Sequence, residues 1–240
     1  MDRRHFFNYI SAFGIDTSLP ALGHHELRVG VVGIGGAGAN VLRYLREQLP
    51  NLNRTVAINS DACSLRRQSV DQKIQVKDIP DEPSGPDFER LIVVRENAWS
   101  VANEIAGSVA GLDMVFLVAG MGGLAGTVIS PIVGQILREQ NIFTLGFPIL
   151  PFEFEGQRRC DIARHGAAEF GRHVDSLIPI HNDTFAQAAG ESAMMDDVFN
   201  QISLSVLQHY LRVTGAVAVS RHAGTDRAVV MNRLSNVSCN

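Results

Sequence analysis

The sequence is poor in the features that would place it in several common classes. It has three cysteines, Cys63, Cys160 and Cys239. Odd in number and far apart, they make no disulfide framework and fit free thiols in a reducing compartment, so a cytoplasmic setting is expected. Positive charge is not in excess, since 21 Lys and Arg stand against 25 Asp and Glu for a net charge of −4. The arginines are also scattered, which removes nucleic acid as a main partner. No apolar stretch approaches the roughly 20 residues that cross a bilayer, because glycine or charge interrupts each candidate. A soluble or membrane-peripheral chain is expected. No lysine follows the glycine-rich turns as a Walker A loop requires, and no G-x-S-x-G elbow occurs. Cys63 and Cys160 have no evident histidine partner for nucleophilic chemistry. His165 and His173 stand two turns apart on an expected helix without a third ligand spaced to them, so no zinc site is expected.

What is present is a chain of 240 residues, 45% hydrophobic and 19% charged, enough to bury the core of one large α/β domain. Strand-like and helix-like segments alternate, the pattern of a Rossmann-like three-layer fold with helices on both faces of a parallel sheet. Strands are expected over Leu27 to Val32, Thr55 to Ile58, Asp113 to Val118, Phe143 to Phe147 and Ser176 to Ile180. Helices are expected after the first glycine turn and over Arg95 to Ser108, Gly126 to Glu139, Gln157 to His173 and Met195 to Leu211. The stretch from about Val70 to Phe88, with Pro80, Pro83, Gly85 and Pro86, reads as an exposed loop. Three segments follow: an amphipathic extension over 1–26, the main domain over 27–212 and a short tail over 213–240. In the extension, Arg3-Arg4 resembles the start of a twin-arginine signal, but Asn8, Asp16 and Thr17 break the apolar stretch such a signal needs. Phe6, Ile10 and Phe13 instead share one helical face, which packs on its own domain or meets a membrane surface or partner.

Chemistry concentrates in two glycine-rich turns. Gly33-Ile34-Gly35-Gly36-Ala37-Gly38 ends a strand and opens a helix, where free backbone N–H groups and the positive helix end attract anions. The string also satisfies the G-x-G-x-x-G dinucleotide fingerprint, with Asp61 about where a ribose-binding acid belongs. By itself it leaves an NAD(P)-dependent Rossmann enzyme and a nucleoside-triphosphate binder both open. Ala119-Gly120-Met121-Gly122-Gly123-Leu124-Ala125-Gly126-Thr127 repeats the arrangement. Two such loops at neighbouring strand ends could clamp one polyphosphate.

Several segments in order resemble the FtsZ/tubulin superfamily. Gly35, Gly36, Ala37, Gly38, Ala39 and Asn40 are similar to its first glycine run, and Ala57-Ile58-Asn59-Ser60-Asp61 to the end of its second strand. Gly120-Met121-Gly122-Gly123 is similar to its signature loop, Pro151 to Arg159 to its ribose-side loop, and His173 to Ile178 with Asn182-Asp183 to the segment after it. The resemblance implies a GTP/GDP-binding domain with Mg2+ accompanying the nucleotide. It implies phosphate contacts from Gly36, Gly38, Gly126 and Thr127, a place on the ribose and α-phosphate side for Glu155 and Arg159, and a nucleotide-binding set that also holds Gly35, Ala37, Ala39, Asn40, Gly122 and Gly123. Asn59 and Asp61 join the nucleotide-binding set, and Asn182 and Asp197 are implied to read the guanine edge. The plain alternative for Asp197 is an acid stabilising a helix start.

The pattern also breaks. Leu124-Ala125-Gly126-Thr127-Val128 lacks a threonine hydroxyl and two glycines of the family's loop, and Ser192 stands where the family stacks an aromatic on guanine. Weaker γ-phosphate and base contacts are therefore expected. The acidic loop by which the family completes hydrolysis on a neighbouring subunit is reduced to Asp226, a weak catalytic candidate. A second domain is not expected after residue 240, and ordinary head-to-tail filaments are therefore not expected. The expected function is a nucleotide-regulated cytoskeletal, cell-division or membrane-remodelling factor with weak or partner-dependent hydrolysis, acting as a homo-oligomer or with a membrane-associated protein. A GTPase completed by a partner or dimer, and a structural module without nucleotide, remain alternatives.

Overall fold

A computed structural model describes residues 28–222 apart from 51, 53, 78–86 and 191. The Phe6/Ile10/Phe13 face, Arg3-Arg4, the Pro80 to Pro86 segment, Cys239 and Asp226 lie outside the described residues.

In chain order the elements are β1 (Val29–Ile34), α1 (Gly35–Gln48), β2 (Thr55–Asn59), α2 (Ala62–Arg67), β3 (Gln72–Gln75), α3 (Asp87–Ser100) and α4 (Ala102–Val109). Then come β4 (Met114–Gly120), α5 (Leu124–Glu139), β5 (Phe143–Leu150), α6 (Gln157–Gly171), β6 (Ser176–Leu177), β7 (Ile180–His181), α7 (Asn182–Ala189) and α8 (Met195–His222). The strands pair in parallel in the order β3-β2-β1-β4-β5-β6, with β7 also against β5. The chain winds from β1 to one side through β2 and β3, then returns to the other side through β4. This is a doubly wound sheet whose direction reverses between β1 and β4.

Both faces of the sheet are covered. Along β4, Met114, Phe116 and Val118 point into one apolar layer, and Val115, Leu117 and Ala119 into the other. That period of two explains why the strand reads as a continuous apolar run. The first layer is closed by Val41, Leu42 and Leu45 of α1 and by Val198, Ile202 and Val206 of α8. Phe116 is fully buried there, with Phe147 stacked at 5.7 Å and Tyr210 of α8 at 5.1 Å. Val94 and Ala98 of α3, Ile105 and Val109 of α4, Ile129 and Val133 of α5 and Phe170 of α6 close the second.

Several segments depart from the sequence reading, and α8, expected to end at Leu211, runs on to His222. Within the expected loop, Gln72–Gln75 forms the edge strand β3, pinned by Asp71, whose carboxylate accepts from Thr55 N (2.7 Å), Thr55 Oγ1 (2.8 Å) and Arg46 (3.0 Å). Burial alone would raise the Asp71 pKa; these hydrogen bonds and the Arg46 charge outweigh it and hold the carboxyl below its usual range. The helix expected over Arg95 to Ser108 starts earlier and divides at Val101, whose φ −102° and ψ 10° leave the helical region. Ser176 to Ile180 is two short strands rather than one, because Pro179 offers no N–H to the ladder.

Candidate functional site

Ligands of doubly wound sheets sit beyond the carboxyl ends of the strands, where the strand order reverses. Both glycine-rich turns arrive there, since β1 and β4 are neighbours and each feeds its turn directly into a helix. Gly35 takes φ +70°, a conformation that only glycine adopts without strain, and this bends the chain from β1 into α1. A Cβ added at Gly35 would stand 3.7 Å from Gly126 N and 3.9 Å from the Ala125 methyl, so the two turns touch.

A cleft of about 410 Å3 opens above them. Gly35, Gly36, Ala37 and Asn40 line it from the first turn, and Gly123, Leu124, Ala125 and Gly126 from the second. Asn59 and Ser60 contribute from the end of β2, Pro151, Phe152, Glu155 and Arg159 from beyond β5, Asn182 from the start of α7 and Phe199 from α8. With strands roughly 4.8 Å apart, Asn182 beyond β7 is about three strand spacings, or ~14 Å, from the first turn. The cleft is elongated along the sheet edge. It carries backbone amides and a helix start at one end and an amide side chain with two aromatic rings at the other.

Asn182 is 6% exposed, and its Oδ1 has no hydrogen-bond partner. Ser130 and Ser176 also have unpartnered buried oxygens among the described residues, but neither lines the cleft. An unpaired buried oxygen costs on the order of 1–3 kcal/mol. In a cleft wall, that cost is removed by a ligand donor. Gly36 and Gly123 have open space where a Cβ would stand, so their backbones are free to be approached closely.

The remaining residues implied by the resemblance have contacts within the fold. Gly38 packs α1 onto the sheet, where a Cβ would come within 2.7 Å of Val118 O, and Ala39 is buried beside it. Thr127 Oγ1 accepts from Gly122 N at 2.9 Å and so fixes the second turn, in which Gly122 has φ +86°. Asp61 caps α2 through Cys63 N at 2.8 Å, and its own N–H donates to Asn59 Oδ1. Asp197 is exposed and accepts from Met194 N at 3.1 Å at the head of α8, the helix-capping alternative. Gly38, Ala39, Asp61, Gly122, Thr127 and Asp197 thus stand outside the residues lining the cleft. Glu155 is held twice, by Phe152 N at 2.9 Å and by Arg159 at 3.0 Å. Ser192 is exposed and does not line the cleft; the aromatic wall is formed instead by Phe152 and Phe199. The helical spacing of α8 could have revealed Phe199, which directly follows the core residue Val198.

Comparison with known proteins bears on the family and the fold. Residues 28–190 match the model of the Tubulin/FtsZ family, GTPase domain. Over 170 residues the chain is 36% identical to the cell division protein FtsZ of Buchnera aphidicola subsp. Schizaphis graminum, covering 70% of this chain and 44% of that protein. The FtsZ of Buchnera aphidicola subsp. Acyrthosiphon pisum is 35% identical over 171 residues, with 71% and 44% covered. The chain therefore spans less than half the length of these curated relatives. Among solved structures, an empty FtsZ dimer from M. jannaschii superposes with TM-score 0.64 at 25% identity, over 90% of this chain and 59% of that one. CetZ1 from Haloferax volcanii, a GDP-bound monomer, shares the fold with TM-score 0.65 at 22% identity, over 87% and 64%.

Proposed function

The chain belongs to the Tubulin/FtsZ family and carries its GTPase domain, and on that premise we propose that the cleft binds GTP and GDP as the control element of a cytoskeletal or cell-division factor. The observation that carries the proposal is the pairing of two touching glycine turns at the strand-order reversal with the unpartnered Asn182 Oδ1 in the same cleft. The amides around Gly36, Gly123 and Gly126 would hold phosphates at the positive helix ends. Glu155 and Arg159 would flank the ribose, and Asn182 Oδ1 would accept a base N–H. Asp197, whose Oδ2 accepts from Met194 N, could join it through its second oxygen. Among the described residues no cluster of three His, Cys, Asp or Glu forms a metal site, so Mg2+ would be held mainly by phosphate oxygens and water.

Hydrolysis on this reading is weak or completed by a partner. The Ala125 methyl faces Gly35 where the family places a hydroxyl, and among the described residues no carboxylate besides Glu155 lines the cleft. The dimeric state of the M. jannaschii relative supports self-association as the regulated property. No helix of the described residues is long and apolar enough to span a membrane. A membrane role would run through a peripheral contact or a partner protein.

Chromatography of the nucleotide released on denaturation, with calorimetry using GTP, GDP, ATP and NADH, tests the reading. Guanine nucleotide is expected. Preference for NADH would favour a Rossmann enzyme, and no binding at all would favour a structural module; either overturns the proposal. Single-turnover GTP hydrolysis by the wild type and Asp226→Ala addresses catalysis, where vigorous concentration-dependent turnover would refute weak hydrolysis.

A further inference from the structure

We infer that Phe199, on the cleft-facing side of α8, is the ring on which the purine base stacks. The inference rests on the guanine-nucleotide reading above and assigns its base contact. Two aromatic residues line the cleft among the described residues, Phe152 and Phe199. Phe152 is 2% exposed, and one of its faces is covered by Phe154 in a stack at 4.9 Å and 14°. Phe199 meets Phe152 in a T-shaped contact at 6.2 Å and 63°, and is only partly buried. Its ring is therefore braced from one side with area still open to the cleft.

The backbone gives the same answer. Val198 and Ile202 are buried in the core beneath α8. One residue beyond Val198 the helix has turned by about 100°, which sets Phe199 at the edge of that core. α8 packs against α7, whose first residue is Asn182, and against α1, which begins at Gly35. Phe199 and Asn182 thus present a flat apolar face and a polar acceptor within one cleft. An aromatic base with N–H groups on its edge needs both. A rigid helix carries the ring, so stacking does not require a loop to be ordered first.

Stacking of one base is worth roughly a 5- to 150-fold change in affinity on alanine substitution. The experiment is calorimetry of nucleotide-stripped wild type, Phe199→Ala, Phe199→Leu and Phe199→Tyr with GTP and with GDP, alongside thermal unfolding. Phe199→Ala is expected to weaken both nucleotides by a factor in that range, with the GTP/GDP affinity ratio unchanged because the base is common to both. Phe199→Tyr, which keeps the ring, is expected to bind like the wild type. Phe199→Leu retains most of the packing, so its loss of affinity at an unchanged melting temperature separates stacking from folding. In a Trp99→Phe background, Phe199→Trp is expected to lose indole fluorescence when guanine nucleotide binds. Unaltered affinity in folded Phe199→Ala or Phe199→Leu, a loss confined to GTP, or an indole indifferent to nucleotide would overturn the assignment. A wild type that takes up no guanine nucleotide would overturn the functional reading and this inference with it.

Discussion

Replacing Gly36 by alanine should raise stability while lowering nucleotide affinity. Gly36 is the second residue of α1, it lacks a positive φ, and nothing lies within 4 Å of the place its Cβ would occupy. A glycine at an unstrained position stabilises the protein by about 0.4–1 kcal/mol when changed to alanine, through the lower entropy of the unfolded chain. For a domain of this size that corresponds to a melting temperature higher by roughly 1–4 °C. On the proposed reading the methyl group would project where a phosphate approaches the backbone, and an affinity loss on the order of tenfold or more is expected. Gly126→Ala is the contrast. Its Cβ would collide with the Gly120 carbonyl oxygen, forcing the head of α5 away from β4. Overpacking of this kind costs about 1–3 kcal/mol, a melting temperature lower by about 2–12 °C. Scanning calorimetry of nucleotide-stripped protein and titration with GDP measure both quantities. A Gly36→Ala protein that melts several degrees early, or that binds GDP like the wild type, would refute the argument that this glycine is kept open for a ligand.

Asn182→Leu should leave the nucleotide-free protein as stable or more so, since it removes an unpaired buried oxygen. It should lose guanine-nucleotide binding in the same calorimetric assay. Phe116→Ala should cost about 3–5 kcal/mol in urea unfolding, because Phe116 is wholly buried against Phe147 and Tyr210; under 1 kcal/mol would contradict the packing described. Asp71, with its pKa held low in the fold, contributes stability that is fully present above its unfolded pKa of about 3.9 and is lost as pH falls through the folded value. Asp71→Asn should therefore flatten the acid limb of stability against pH, and an unchanged limb would remove Asp71 as its source.

The central strands and their helices were legible because burial on both faces writes long apolar runs, as in Met114 to Ala119. β3 was not. In Gln72-Lys73-Ile74-Gln75 only Ile74 is buried, and an edge strand with one inward side chain looks like a polar loop. The motif order identified the family, and ten of the implied site residues, from Gly35 to Asn182, line one cleft. Sequence spacing did not reveal which polar groups are already occupied. Thr127 and Asp61 match ligand positions, yet their oxygens accept from Gly122 N and Cys63 N. Helical spacing sets Phe199 beside the core residue Val198, but its contact with Phe152, 47 positions earlier, exists only in the folded chain.

The contact between Gly33 and Gly38 bears on how such sequences change over time. A Cβ on Gly33 would stand 2.5 Å from the Gly38 carbonyl oxygen, and one on Gly38 would stand 2.8 Å from the Gly33 carbonyl carbon. Each glycine thus constrains the other through helix-on-strand contact alone, without any bound molecule. A descendant that abandoned its ligand would still be selected to keep this pair, whereas Gly36 and Gly123, bordered by open space, would be free to drift. In diverged relatives, retention of the open pair is therefore the informative mark of a living site, and retention of the closed pair records only an intact fold.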